Sequence, residues 1–433
     1  MNTAHRGQHR RPFVRQGRMP GAHWPLALAG ALIAARAAVL ILRPGEGLIE
    51  PDPVDVQEYF SHDDIARARR FGRPQLALHA LSGLLQTGML VAFVAHPPRR
   101  FVSARLPRGP RTPTPTRPLL SSALAGAGLS AAIGLAPLPL SALARRRALA
   151  VGLATQSWRG WAMDVAKGSA IEMGMAAVAA PAGVALMRRL PRWWWLPGAG
   201  VVVAGATGMT LLAPVLVEPL FNRYTPLPEG QLREDVLELA RLAGVEVGEV
   251  YEVDASRRTT AANAYVTGLG PTKRVVLFDT LLERFGRDET RLVVAHELAH
   301  VRHRDVPRGL AQLALVAPAG MYAAAVLTRR LVGPAPADAS TLPALALSLG
   351  IVSAAIGSVS SALSRRMESR ADAYSLRLAD APESFVAFEQ RIVRQNLIDP
   401  DPPRWLTRLL ASHPPTVERI GIARAYARLT ATP

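Results

Sequence analysis

The residues best suited to chemistry are His296-Glu297-Leu298-Ala299-His300, an HExxH motif. On a helix, the four-residue spacing puts both imidazoles on one face. There they can share one zinc, with Glu297 beside the water that the zinc would activate. With 10 histidines and 33 acidic residues in 433, about 0.02 such motifs arise by chance. The preceding Leu292-Val293-Val294-Ala295 supplies an apolar, helical context. The chain has no cysteine, which excludes disulfides, thiolate zinc sites, iron–sulfur clusters and cysteine catalysis. A catalytic zinc then needs a third protein ligand from the histidines and carboxylates, and one position left for water.

No third histidine follows at the short metzincin spacing, and His303 is rotated away from the ligand pair. The third ligand expected is Glu368, in Ser364-Arg-Arg-Met-Glu-Ser-Arg-Ala-Asp372. Glu368 and Asp372 are again four apart, so one helical face offers two carboxylates. One can bind metal while the other holds a ligand histidine or handles protons. The plainer alternative is a solvated helix end pairing with Arg365, Arg366 or Arg370. Further on, Ser412-His413-Pro414-Pro415 fixes a histidine between a serine and two prolines. His413 could donate to the oxyanion of a tetrahedral intermediate, with Arg419 supporting it or binding a substrate carboxylate.

The elements that must position these groups start from seven apolar blocks, at 25–43, 76–96, 119–144, 169–187, 194–217, 308–328 and 341–363. Each is near the roughly 20 residues that span a bilayer core, so the chain reads as a polytopic membrane protein. The first block is expected to be a retained helix, because it ends Leu40-Ile41-Leu42-Arg43-Pro44 with no small-residue cleavage site. The net charge is +18, almost all arginine, since Lys167 and Lys273 are the only lysines. Those arginines are scattered over loops on both faces, which argues against nucleic acid and for contact with anionic lipid. The tail and loop 97–117 are basic, but so are Arg145 to Arg147, Arg302, Arg304, Arg365 and Arg366 opposite, so the positive-inside rule leaves both orientations open. The Pro-rich stretch 105–118 reads as a connector.

By alternation, the polar stretches 218–306 and 364–433 emerge on one face. In the first, Glu229 to Gly244 has helical periodicity and a glycine stop. Strand-like runs follow at Val250–Val253, Ala261–Val266 and Arg274–Phe278, with turn residues Gly268 to Pro271 between the last two. A further helix is predicted from about Asp288 to His303.

Together the motifs Asn263-Ala-Tyr-Val-Thr-Gly-Leu-Gly, Lys273 to Leu281, His296 to His300, Glu368 to Asp372 and Ser412 to Pro415 resemble the integral membrane zinc peptidases of the CAAX prenyl protease 1 type. Glu218 to Gly230 resembles their lead-in to the catalytic domain, and Gly152 to Trp158, with Asp164 and Lys167, a loop between their third and fourth helices. The resemblance implies one zinc per chain on His296, His300 and Glu368, with Glu297 as general base. It implies Asp372 as an outer-shell or proton-donating group, and His413 with Arg419 at the oxyanion and substrate. Asn263, Ala264, Tyr265 and Val266 would be the edge strand on which substrate lies. The fold implied is mainly α, about seven transmembrane helices enclosing a chamber, with a zincin-like α+β metallopeptidase domain on one face. The expected divisions are a basic tail (1–24), a five-helix transmembrane region (25–217), a catalytic segment (218–306), a transmembrane hairpin (307–363) and a C-terminal catalytic segment (364–433). The expected substrate is a peptide or protein, lipid-modified or hydrophobic, and the active unit a monomer in membrane lipid. A quality-control endopeptidase of the heat-shock membrane type is the alternative, and a transporter or inactive scaffold a third reading opposed by the intact HExxH.

Overall fold

The computed structural model describes residues 23–96, 116–267, 273–333 and 337–431. The basic tail, most of the Pro-rich connector and the turn expected at Gly268 to Pro271 lie outside them. The apolar blocks form α1 (Trp24–Leu42), α2 (His62–Ala95), α3 (Thr116–Leu135), α4 (Leu138–Ala150), α5 (Trp158–Arg189) and α6 (Trp195–Leu216). After the catalytic segment come α9 (Asp305–Val332) and α10 (Leu342–Ala379). Among the described residues, six helices are long and apolar enough to cross a membrane, or seven when α3 and α4 count as one bent span. Their outward side chains are large and apolar, such as Val178, Leu196 and Val215. Such surface belongs in hydrocarbon, and the protein is an integral, multi-pass membrane protein.

Several boundaries differ from the hydropathy reading: α2 and α5 start well before their blocks at 76–96 and 169–187, and two further differences change the shape of the span. The block at 119–144 is not one straight helix but the pair α3 and α4, bent by 40°. Pro137 sits at the break, where it lacks an N–H and disfavours helix at the residue before it. The block at 341–363 is only the first part of α10, a helix of 38 residues, about 57 Å long at 1.5 Å per residue. That exceeds the roughly 30 Å of a bilayer core. The surplus carries Glu368 and Asp372, so a membrane helix itself delivers the expected third ligand.

The segment 218–306 contains β1 (Tyr224–Pro226), α7 (Gln231–Leu242), β2 (Glu249–Val253), β3 (Ala264–Thr267), β4 (Arg274–Phe278) and α8 (Arg287–Arg302). Gly244, at φ +64, closes α7 in the left-handed conformation that glycine adopts without cost. The sheet has order β1-β2-β4-β3. Strands β2 and β4 run parallel, while β1 and β3 are antiparallel to their partners, so β3 is an edge. Leu239 of α7, Val250, Val275 and Leu277 of the sheet, and Val294 and Leu298 of α8 are fully buried together. This core fixes α8 beside the edge strand. Its first turn is tied down where the Gly286 N–H donates to Glu289 Oε2 at 2.7 Å.

The lead-in to β3 is held by the membrane half. The Thr155 N–H donates to Arg258 O at 3.0 Å, and the Thr260 N–H to Leu153 O at 3.1 Å. Arg258 pairs with Asp164 of α5 at 2.9 Å. The C-terminal segment folds as α11 (Pro382–Asn396), α12 (Arg404–Leu410) and α13 (Thr416–Ala431), three helices that pack behind α8 and α10.

Candidate metal centre

Residues 296 and 300 lie one turn apart on α8, and their Nε2 atoms are 3.2 Å apart. Glu368 approaches from α10, with Oε2 3.2 Å from His296 Nε2 and Oε1 3.7 Å from His300 Nε2. Ligand atoms of all three residues lie within 4.8 Å of one another. The opposite ring nitrogen of each histidine meets a carboxylate: His296 Nδ1 is 2.9 Å from Asp372 Oδ1, and His300 Nδ1 is 2.9 Å from Asp305 Oδ2. Protons on both Nδ1 atoms leave two Nε2 lone pairs facing each other and a carboxylate. Glu368 Oε2 is buried and makes no hydrogen bond among the described residues, with the ring of His413 the only other donor group near it, 3.3 Å away among those residues. A bound cation is what satisfies all three, and two imidazoles with one carboxylate is a donor set that suits zinc.

Each carboxylate is anchored in turn. The Arg419 fork donates to both oxygens of Asp372, at 2.9 Å and 2.7 Å, and its remaining nitrogen lies 2.6 Å from Glu389 Oε1. Asp372 and Glu389 are almost wholly shielded from solvent. Arg370 and Arg308 pair with Asp305 at 2.5 Å and 2.8 Å. For His296, burial opposes charging, but the Asp372 and Glu368 carboxylates outweigh it and raise its pKa to about 10. That enclosure of anions attracts a proton as it would attract a metal. Glu297 is raised foremost by its own burial, the direction that would suit a general base working near neutrality. Its side chain lines a cavity of about 980 Å³ that also takes in His300 and Val266.

The remaining predicted residues are placed as follows. His413 sits on the exposed rim with Nε2 3.3 Å from Glu368 Oε2, and Ser412 Oγ is 2.9 Å from its Nδ1. Asn263 is exposed just before β3 and accepts from the Phe278 N–H at 3.1 Å. Ala264 is buried, and the Tyr265 hydroxyl turns to Tyr224 and Glu218 at 3.0 Å and 3.2 Å. Arg419 reaches the site from behind, committed to Asp372 and Glu389. Sequence reasoning missed Asp305, Glu389 and the part played by Arg370. Glu389 had a signal: it lies on the face of α11 that carries the buried Phe385 and Val393.

The chain is 33% identical over 300 residues to an uncharacterized metalloprotease of Bacillus subtilis, YhfN, covering 67% of this chain and 70% of that protein. Residues 226–427 match the family model of peptidase family M48. The chain belongs to peptidase family M48. Residues 50–223 match a second model, described as CAAX prenyl protease N-terminal, five membrane helices. A CAAX prenyl protease 1 homolog of Oryza sativa is 31% identical over 239 residues, 51% of this chain and 53% of that one. The crystal structure of S. mikatae Ste24p superposes with a TM-score of 0.74 over 93% of this chain and 100% of that chain, at 19% identity. That match shows the fold. This M48 member is therefore a membrane metalloendopeptidase with a metal cofactor and a peptide or protein substrate.

Proposed function

We propose that this M48 peptidase is a zinc endopeptidase of the CAAX prenyl protease 1 type, cutting lipid-modified or hydrophobic peptides at the membrane. The observation that carries the zinc reading is the facing pair of Nε2 atoms with the orphaned Glu368 Oε2. His296, His300 and Glu368 would hold one zinc per chain, and the active unit is a single chain because every donor comes from it. Bound zinc supplies a Lewis acid for the scissile carbonyl.

The protein's own groups do the rest. Glu297 takes a proton from the attacking water and gives it to the leaving nitrogen, a role typically worth about 10²–10⁴-fold in rate. His413, on the rim, donates to the oxyanion of the tetrahedral intermediate. Asp372 and Asp305 hold the two imidazoles so that Nε2 faces inward. Arg419 acts through Asp372 in place of the substrate contact expected from the sequence. Substrate adds as a strand on the free edge of β3, running past Asn263 to Val266, so backbone pairing gives affinity and flanking pockets give preference.

The match of 50–223 to the five-helix N-terminal region favours the CAAX type over the heat-shock membrane type. The test is cleavage of matched farnesylated and unmodified peptides by the purified protein in nanodiscs, with zinc measured by elemental analysis. Zinc near one per chain and faster cleavage of the lipidated peptide are expected. Indifference to the lipid would remove the CAAX reading, and absence of zinc the metal assignment.

A further inference from the structure

The cavity that takes in Glu297 and His300 is also lined by three cations, Lys273 and Arg274 where β4 begins and Arg304 in the turn from α8 to α9. None of the three has an anionic partner among the described residues. Its other wall carboxylate, Glu249, is already paired with Arg233 at 3.0 Å, outside the lining. Arg274 is fixed without being neutralised. It donates to the Pro214 carbonyl at 2.8 Å, and its guanidinium lies over Tyr224 and Tyr251 at 5.1 Å and 5.6 Å. Arg304 adopts φ 56, ψ 45, a left-handed conformation that is unfavourable for a residue with a side chain. Such strain persists at sites where the surrounding structure demands it. The same lining includes the apolar Leu211, Val215 and Leu310.

We propose that Lys273, Arg274 and Arg304 form a subsite for a carboxylate of the substrate. This deepens the peptidase reading above and rests on it. An extended peptide on the edge of β3 advances about 3.3 Å per residue, so Thr267, at the cation end, lies within about four residues of Asn263. The carboxylate is therefore either an acidic side chain within about four residues of the scissile bond or the free C-terminus of a short substrate. Both sources offer the same two-oxygen acceptor, which suits the planar fork of an arginine.

The test is binding of fluorescein-labelled hydrophobic peptides to full-length Glu297→Gln protein in nanodiscs, read by anisotropy. One peptide pair carries Glu or Gln within four residues of the central bond, and another ends in a free acid or an amide. At least one acidic form should bind about tenfold more tightly than its neutral twin, and the pair that responds identifies the source. In a Lys273→Gln/Arg304→Gln variant that ratio should fall towards one, with metal content reporting that the fold is kept. Ratios of one in the parent, or a ratio that survives the double substitution, overturn the subsite. So does a double-variant effect that is equal for all peptides and seen only with phosphatidylglycerol in the nanodisc, because the cations then hold a lipid headgroup. If the wild type with zinc cleaves none of the peptides, the peptidase reading fails, while the binding ratios still decide the subsite.

Discussion

The two histidines of α8 are held by the same device set in different surroundings. On the His296 side, imidazole, Asp372, Arg419 and Glu389 form a line whose two carboxyl groups are almost wholly shielded from water. On the His300 side, Asp305 is flanked by Arg370 and by Arg308, whose side chain is 26% exposed, and the histidine opens onto the cavity of about 980 Å³. The difference is one of depth. A carboxylate in the first line has almost no solvent to fall back on when a partner is removed, whereas the second flank can be partly rehydrated through Arg308. In the proposed mechanism the first flank would set the rigid reference for the metal, and the second would sit where substrate arrives.

Glu297 belongs to neither flank, and changing it should give the largest effect while leaving both intact. Glu297→Gln should lower kcat by at least about 10³-fold, within the range for a lost general base, with metal stoichiometry unchanged. Metal loss in that variant would show that the flanks do not hold the metal without it.

Removing each carboxylate then grades the flanks. Asp372→Ala leaves a buried Arg419 facing Glu389 alone, and breaking such a buried pair costs about 3–5 kcal/mol. It should also weaken metal binding by about 100-fold, the upper end for an outer-shell partner. Asp305→Ala should weaken metal binding by about tenfold, the lower end of that range, with a smaller fall in the unfolding midpoint. Chelator competition and thermal unfolding read both quantities. Equal losses in the two variants would abolish the distinction by depth.

How far the sequence reveals these flanks differs between them. The proposed ligands and Asp372 follow from two four-residue spacings, because i, i+4 on a helix is a local rule that tertiary structure need not complete. Asp305 escapes that rule. It reaches back to His300 because Arg304 turns left-handed between α8 and α9, and nothing about an arginine announces a positive φ. Glu389 depends on α11 docking against α13, which only the folded chain brings about. In the membrane half, hydropathy finds the blocks but is blind to backbone chemistry. It passes over Pro137, where a helix must break, and it ends the last span at Ser364-Arg-Arg, where helix α10 has no reason to stop.

The smallest effect expected comes from the far end of the buried line. Burial, foremost, raises Glu389 to about 7 from its ordinary 4.5, with Arg419 pulling the other way. The folded protein thus holds a proton there that the unfolded chain sheds nearer pH 4.5. A raised carboxyl contributes stability that is complete below the unfolded pKa and is lost as pH climbs through the folded one. Between pH 6 and pH 7 that loss is about 1 kcal/mol, and Glu389→Gln, with nothing to ionise, is spared it. Every other titrating group is common to both proteins, so the difference between their unfolding midpoints isolates this one. That difference should move in favour of the glutamine variant as pH rises from 6 to 7. A difference that stays flat would mean that Glu389 is already ionised against Arg419, and that the line ends in a permanent ion pair instead of a titrating acid.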